Sequence, residues 1–79
     1  MSVREVVIPK LGMDTVDCEV KAWLIHVGDR VAPGTGLLEV ETEKTEVVIE
    51  AEFPGTVREL RAQVGERVAV GAVIAVIEG

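Results

Sequence analysis

A stretch of eight residues occurs twice in this chain. Val27-Gly28-Asp29-Arg30-Val31-Ala32-Pro33-Gly34 returns, 37 positions on, as Val64-Gly65-Glu66-Arg67-Val68-Ala69-Val70-Gly71. The same spacing pairs Val20-Lys21 with Val57-Arg58, Trp23 with Leu60, Leu37 with Ile74, Val40 with Ile77 and Glu41 with Glu78. A duplication of this length predicts a fold of two similar units and limits the architecture more than any local propensity does. Each unit reads as strand, turn, short strand, turn, strand. Gly28-Asp29 and Gly65-Glu66 are turn dipeptides, since glycine takes the positive φ such turns often need without steric cost. Gly34 and Gly71 end the short middle segments, and Pro33 stiffens the first copy.

Alternation marks the later strands. Leu38 and Val40 oppose Glu39 and Glu41, and Val47, Ile49 and Ala51 oppose Glu46, Val48 and Glu50, the period of a half-buried strand. Pro54-Gly55 punctuates the start of the second copy. Around Trp23 and across 73–77 both faces are apolar, which leaves the inward side open there. No segment carries a sustained helical period with caps. The expected fold is therefore all-β: a flattened barrel or sandwich of two similar antiparallel sheets with internal pseudo-two-fold symmetry, each unit covering the other's apolar face. With 79 residues the chain makes one domain, 1–79, near the lower end of what a single core stabilises alone.

Several function classes fall away on composition. A net charge of −6 argues against nucleic acid, which needs a basic face, and Trp23 and Phe53 alone offer no base-stacking platform. No apolar run approaches the roughly 20 residues needed to span a bilayer, and the first residues lack the apolar core of a secretory signal. The single cysteine, Cys18, can form no intrachain disulfide and reads as a small, semi-buried residue. A reducing compartment fits, with a bacterial cytoplasm favoured over a mitochondrial matrix. His26 has no serine or second cysteine placed beside it as a nucleophile and reads as a surface residue. No His/Cys cluster has metal-ligand spacing, and no glycine-rich phosphate loop is present. Asp29 and Glu66 are equivalent turn residues of the repeat, not a catalytic dyad. The chain is thus expected to carry no catalytic residue and no metal.

What remains is Val40-Glu41-Thr42-Glu43-Lys44-Thr45-Glu46-Val47, one lysine among acids at the link between the copies. Pseudo-two-fold symmetry sets that link at one end of the body and the termini at the other. An exposed lysine on a turn is ordinarily only solvated. Its central place and its acidic flanks instead suggest a handle that another enzyme modifies. Glu41, Glu43 and Glu46 could contact a basic modifying enzyme, or keep a hairpin edge from aggregating.

Taken together, these features resemble the lipoyl domain of the acyltransferase component of 2-oxo acid dehydrogenase complexes, within the wider biotinyl/lipoyl family. The resemblance spans essentially the whole chain. It rests on Ile8-Pro9-Lys10-Leu11-Gly12-Met13, Trp23-Leu24, Gly28-Asp29-Arg30-Val31, Glu39-Val40-Glu41-Thr42-Glu43-Lys44-Thr45, Phe53-Pro54-Gly55-Thr56-Val57 and Val64-Gly65-Glu66-Arg67-Val68. Family members commonly place Asp before the lysine and Ala or Val after it, where this chain has Glu43 and Thr45.

The resemblance implies a barrel-sandwich hybrid and a carrier without a catalytic site of its own. Lipoate would be attached to the Lys44 ε-amine by a lipoate ligase or lipoyl synthesis enzymes. A thiamine-diphosphate 2-oxo acid dehydrogenase would reductively acylate the arm, an acyltransferase core would pass the acyl group to coenzyme A, and a dihydrolipoyl dehydrogenase would reoxidise the dithiol. Such an arm raises the local concentration of substrate at each site, while the cofactor carries the chemistry. Residues implied in recognition are Glu41, Glu43, Thr45 and Glu46 beside the lysine, and Leu11, Gly12, Met13, Asp14 and Thr15 in the loop after the first strand. The Pro-Lys-Leu-Gly-Met wording is nearer to pyruvate- or acetoin-type domains than to 2-oxoglutarate-type ones. Two other readings stand beside this one. A biotin carboxyl carrier shares the fold, but its lysine usually sits between methionines. An unmodified structural barrel-sandwich module, as in membrane-fusion adaptors, would be favoured by a long helical hairpin inserted in the sequence, which has none.

Overall fold

Eight strands and no helix make up the regular structure of residues 2–79, the part described in the computed structural model. Met1, included in the expected 1–79 domain, lies outside the described residues. The strands are β1 (Val3–Val7), β2 (Asp17–Trp23), β3 (Arg30–Val31), β4 (Gly36–Glu41), β5 (Glu46–Glu50), β6 (Gly55–Leu60), β7 (Arg67–Ala69) and β8 (Val73–Glu78). They form two four-stranded sheets, ordered β1-β8-β6-β3 and β5-β4-β2-β7, with every pairing antiparallel. The all-β sandwich expected from the sequence is what forms.

The duplication reappears in the hydrogen bonds. Gly28 N–H donates to the Val57 carbonyl at 2.8 Å, and its counterpart Gly65 N–H donates to the Val20 carbonyl at 2.7 Å. The Asp29 carboxylate accepts the His26 N–H at 2.8 Å, as the Glu66 carboxylate accepts the Gln63 N–H at 2.9 Å. Both acids therefore close turns, as their place in the repeat predicted. Gly28 and Gly65 hold φ of 98° and 91°, a backbone region that an L side chain enters only with strain.

The strands outside the offset of 37 also find partners. Gly34 N–H donates to the Ala51 carbonyl and Gly71 N–H to the Ile8 carbonyl, so β5 is the counterpart of β1. Likewise Thr42 N–H donates to the Thr45 carbonyl and Gly79 N–H to the Ser2 carbonyl, both at 2.8 Å. The lysine hairpin and the paired ends of the chain thus occupy equivalent places, one on each sheet. One connection breaks the symmetry: nine residues (8–16) lead from β1 to β2, against four (51–54) from β5 to β6.

Bulges explain the segments whose inward side the sequence left open. The β4–β5 register passes from Gly36↔Glu50 to Leu38↔Ile49 and skips Leu37; the β1–β8 register skips Ile74 in the same way. An extra residue in one strand turns two consecutive side chains toward the same side. Leu37 and Leu38 are accordingly both fully buried, as are Ile74 and Ala75. A second equivalent pair of bulges falls at Lys21 and Arg58, beside Trp23 and Leu60. Trp23 lies half-buried against the core, with its indole N–H donated to the Ala62 carbonyl at 2.9 Å. Cys18 is fully enclosed rather than semi-buried, because it stands on β2, an inner strand of its sheet, opposite Val68 of β7.

Candidate functional site

The β4–β5 hairpin closes over residues 42–45, between the paired Glu41 and Glu46. Thr42 shapes this turn. Its Oγ1 accepts the backbone N–H of Lys44 at 3.2 Å and that of Thr45 at 3.1 Å, and its hydroxyl donates to the Thr45 carbonyl at 3.1 Å. A short polar side chain that bonds the backbone two and three residues on is a local alternative to regular pairing and fixes a turn. Among the described residues Thr42 is the only buried polar or charged one. Lys44 is exposed and takes part in no ion pair among the described residues. Its backbone is held while its side chain is left to solvent.

Beside the hairpin runs an open groove of about 740 Å³ that takes in the whole tip, Glu41 to Glu46. Asp14, Thr15, Val16 and Asp17 line its other side, with Arg67 from β7. The longer β1–β2 connection therefore reaches the lysine. Of the five loop residues the sequence singled out, Asp14 and Thr15 line the groove and Leu11, Gly12 and Met13 do not. Leu11 packs against the core, Gly12 offers its carbonyl to the Thr15 N–H at 3.4 Å, and Met13 stands 93% exposed at the loop tip. Thr45 donates its hydroxyl to the Glu46 carbonyl at 3.3 Å, and Glu43 is exposed at the turn.

The groove is acidic. Asp14, Asp17, Glu41, Glu43 and Glu46 line it with Lys44 and Arg67 as the lining cations, and the Arg67 guanidinium is engaged by Asp17 at 2.8 Å. Like charges also meet across the sheet, with Glu41 opposite both Glu46 and Glu19. Such pairs are destabilising. Lys21 eases them, its Nζ 3.7 Å from Glu19 and 3.9 Å from Glu41, though exposed pairs of this kind contribute little. Because β5 is an edge strand, Glu46 and Glu50 on its open face also guard against pairing with another chain. His26 is an exposed turn residue. No group of three or more metal-ligating side chains converges among the described residues.

Thr42, Val16, Asp17 and Arg67 belong to the site but were not singled out from the sequence. Thr42 left a trace, a hydroxyl two residues before the lysine. Arg67 and Asp17 are far apart in the chain, and only the β2–β7 pairing brings them together.

A family model described as biotin-requiring enzyme (Biotin_lipoyl) matches residues 4–77. The chain belongs to the biotin/lipoyl family. Among its curated relatives in that family is the dihydrolipoyllysine-residue acetyltransferase component of an acetoin cleaving system of Bacillus subtilis, 40% identical over 98% of the chain and 19% of the relative. The corresponding component of Pseudomonas putida is 36% identical over 95% of the chain and 20% of the relative. A dihydrolipoyllysine-residue succinyltransferase component of a 2-oxoglutarate dehydrogenase complex, from Staphylococcus saprophyticus, is 38% identical over 92% of the chain and 17% of the relative. The chain thus spans about a fifth of the length of these relatives.

Solved structures show the same fold. Kluyveromyces lactis urea carboxylase superposes with a TM-score of 0.83 at 26% identity, over 99% of the chain and 6% of the carboxylase. The lipoyl domain of the 2-oxoglutarate dehydrogenase complex from Azotobacter vinelandii gives 0.76 at 21% identity, over 95% of both chains, a likeness of fold.

Proposed function

We propose that this biotin/lipoyl domain, residues 1–79, is a lipoate carrier modified on Lys44 and serving a 2-oxo acid dehydrogenase complex. The observation that carries the reading is the pairing of an exposed lysine amine with a fixed backbone, at the tip of a hairpin in a fold whose curated relatives are dihydrolipoyllysine acyltransferase components. The chain's own chemistry is small. In amide formation the neutral Nζ attacks a lipoate carboxyl that a ligase has activated with ATP. The new C–N bond replaces the acyl C–O bond to the nucleotide, which leaves, and one proton passes from the nitrogen to solvent. Lys44 supplies the nitrogen, Thr42 holds the turn, and the acidic groove offers a surface to a basic enzyme. Bound lipoate would supply a dithiolane able to take up an acyl group with its own reduction and to pass it on. The protein adds reach, since a long aliphatic arm on a rigid hairpin sweeps several sites at high effective concentration.

The partners follow from that role: a lipoate ligase or lipoyl synthesis enzymes, a thiamine-diphosphate dehydrogenase, an acyltransferase core and a dihydrolipoyl dehydrogenase. Relatives from acetoin cleaving systems support an acetoin- or pyruvate-type dehydrogenase, in a bacterial cytoplasm. Incubation with lipoate, ATP and a lipoate ligase tests the reading, with intact mass as readout. A single lipoyl increment supports it. The likeness to urea carboxylase and the family description give a second reading, biotin on the same lysine. A biotinyl increment on incubation with a biotin ligase, with none from lipoate, would replace the first reading by the second.

A further inference from the structure

Resting on the reading of Lys44 as the modified residue, we propose that Thr42 is a positioning residue for that modification, its hydroxyl holding the turn in the form the modifying enzyme accepts. Three observations converge on it. First, Oγ1 gathers three bonds within the turn: the N–H groups of Lys44 and Thr45 enter, and the O–H leaves to the Thr45 carbonyl. Lys44 is thereby fixed at its own amide and at the next. Second, Thr42 is the one buried polar side chain among the described residues, 8% exposed. Third, the staple belongs to the turn and not to the strand pairing around it: at the symmetry-related place, where no turn links the two segments, Gly79 and Ser2 are joined by backbone hydrogen bonds.

The consequence is a matter of populations. Without the hydroxyl, the N–H groups of Lys44 and Thr45 turn to water and the tip samples other forms. An enzyme that accepts only one form then sees an apparent affinity lowered by the fraction that remains competent. The loss falls on KM, while kcat, set after capture, holds.

Thr42→Val keeps the branched shape and removes the hydroxyl, whereas Thr42→Ser keeps the hydroxyl; Thr42→Ala replaces the valine variant if that one does not fold. Lipoylation kinetics with a lipoate ligase are read together with amide hydrogen exchange at Lys44 and Thr45. The expected result is a five- to tenfold higher KM in Thr42→Val at unchanged kcat, faster exchange confined to those two amides, and restoration of both in Thr42→Ser. A general loss of stability would speed exchange throughout and leave KM unmoved well below the melting temperature. Wild-type KM and protection in Thr42→Val, or failure of Thr42→Ser to restore them, would overturn the proposal. An unmodified Lys44 in the wild-type chain would sink the carrier reading itself, a separate outcome.

Discussion

A β-carbon built on Gly55 would stand 2.5 Å from Cγ2 of Ile77, and 2.7 Å from the backbone oxygen of Glu78. The sequence suggested Gly55 as punctuation after Pro54. It is instead the first residue of β6, pressed onto the end of β8 where the two halves of the sheet meet.

Gly55→Ala should accordingly destabilise by about 2 kcal/mol or more, since backbone must move to admit the methyl group. Urea unfolding of the variant against the parent measures it. An unchanged midpoint would mean that β6 and β8 approach less closely than described.

Gly28 and Gly65 make a contrasting pair. Nothing lies within 4 Å of a β-carbon at either position, so only the positive φ opposes substitution. Alanine at each should cost about 1–2 kcal/mol, with asparagine costing less. Equal costs at the two sites would reflect their equivalence in the repeat. A variant with unaltered melting would contradict the turn geometry.

Cys18 gives a pH dependence. Burial is the first cause raising its thiol above the ordinary value, and Asp17 adds to it, while Arg67 opposes both. A folded-state pKa above the unfolded one means that the folded chain holds the proton more tightly. Its stabilising effect is complete below the unfolded value of about 8.5 and is lost as pH rises toward the folded one. Stability should therefore fall above about pH 8.5, and less so in Cys18→Ala measured against its own neutral-pH value. A thiol reagent should label Cys18 slowly in buffer and at once in urea. Fast labelling of the native chain would show that β2 and β7 part readily.

The groove loop separates being modified from being used. Replacing Met13-Asp14-Thr15 by Gly-Ser-Gly should leave lipoylation of Lys44 intact and slow reductive acylation by the cognate dehydrogenase. A tenfold loss corresponds to about 1.4 kcal/mol at the transition state, the scale of one lost contact. Single-turnover rates of the two lipoylated forms decide it. Equal rates would make Asp14 and Thr15 mere connectors, and loss of lipoylation would mean that the loop shapes the hairpin.

Much of this is legible in the sequence, for a physical reason. A duplicated sequence constrains turns twice, so Gly28 and Gly65 could be read against each other, as could Asp29 and Glu66. Alternation placed Val40 and Ile49 inward because β4 and β5 pair regularly from Leu38↔Ile49 to the hairpin, and the extra residue of their bulge, Leu37, lies on β4. It failed across 73–77, where Ile74 is the extra residue of a bulge and β8 is an inner strand. Bulges are set by pairing partners, which local periodicity does not encode. The groove was half legible. Lys44 and its acidic neighbours stand together in the chain, whereas Arg67 joins them only through the β2–β7 pairing. Thr42 is not marked by charge or by its place in the pattern, because its three bonds run from a hydroxyl to the backbone of its own turn.

The central claim is that Lys44 carries the lipoyl group, and site mapping tests it most directly. The chain is lipoylated, digested and sequenced by mass spectrometry beside Lys44→Arg, which keeps the charge and removes the acylatable amine. The account predicts one lipoyl group, on Lys44, in the parent and none in the folded variant. Lipoate on Lys10 or Lys21, or modification that persists in Lys44→Arg, would contradict it.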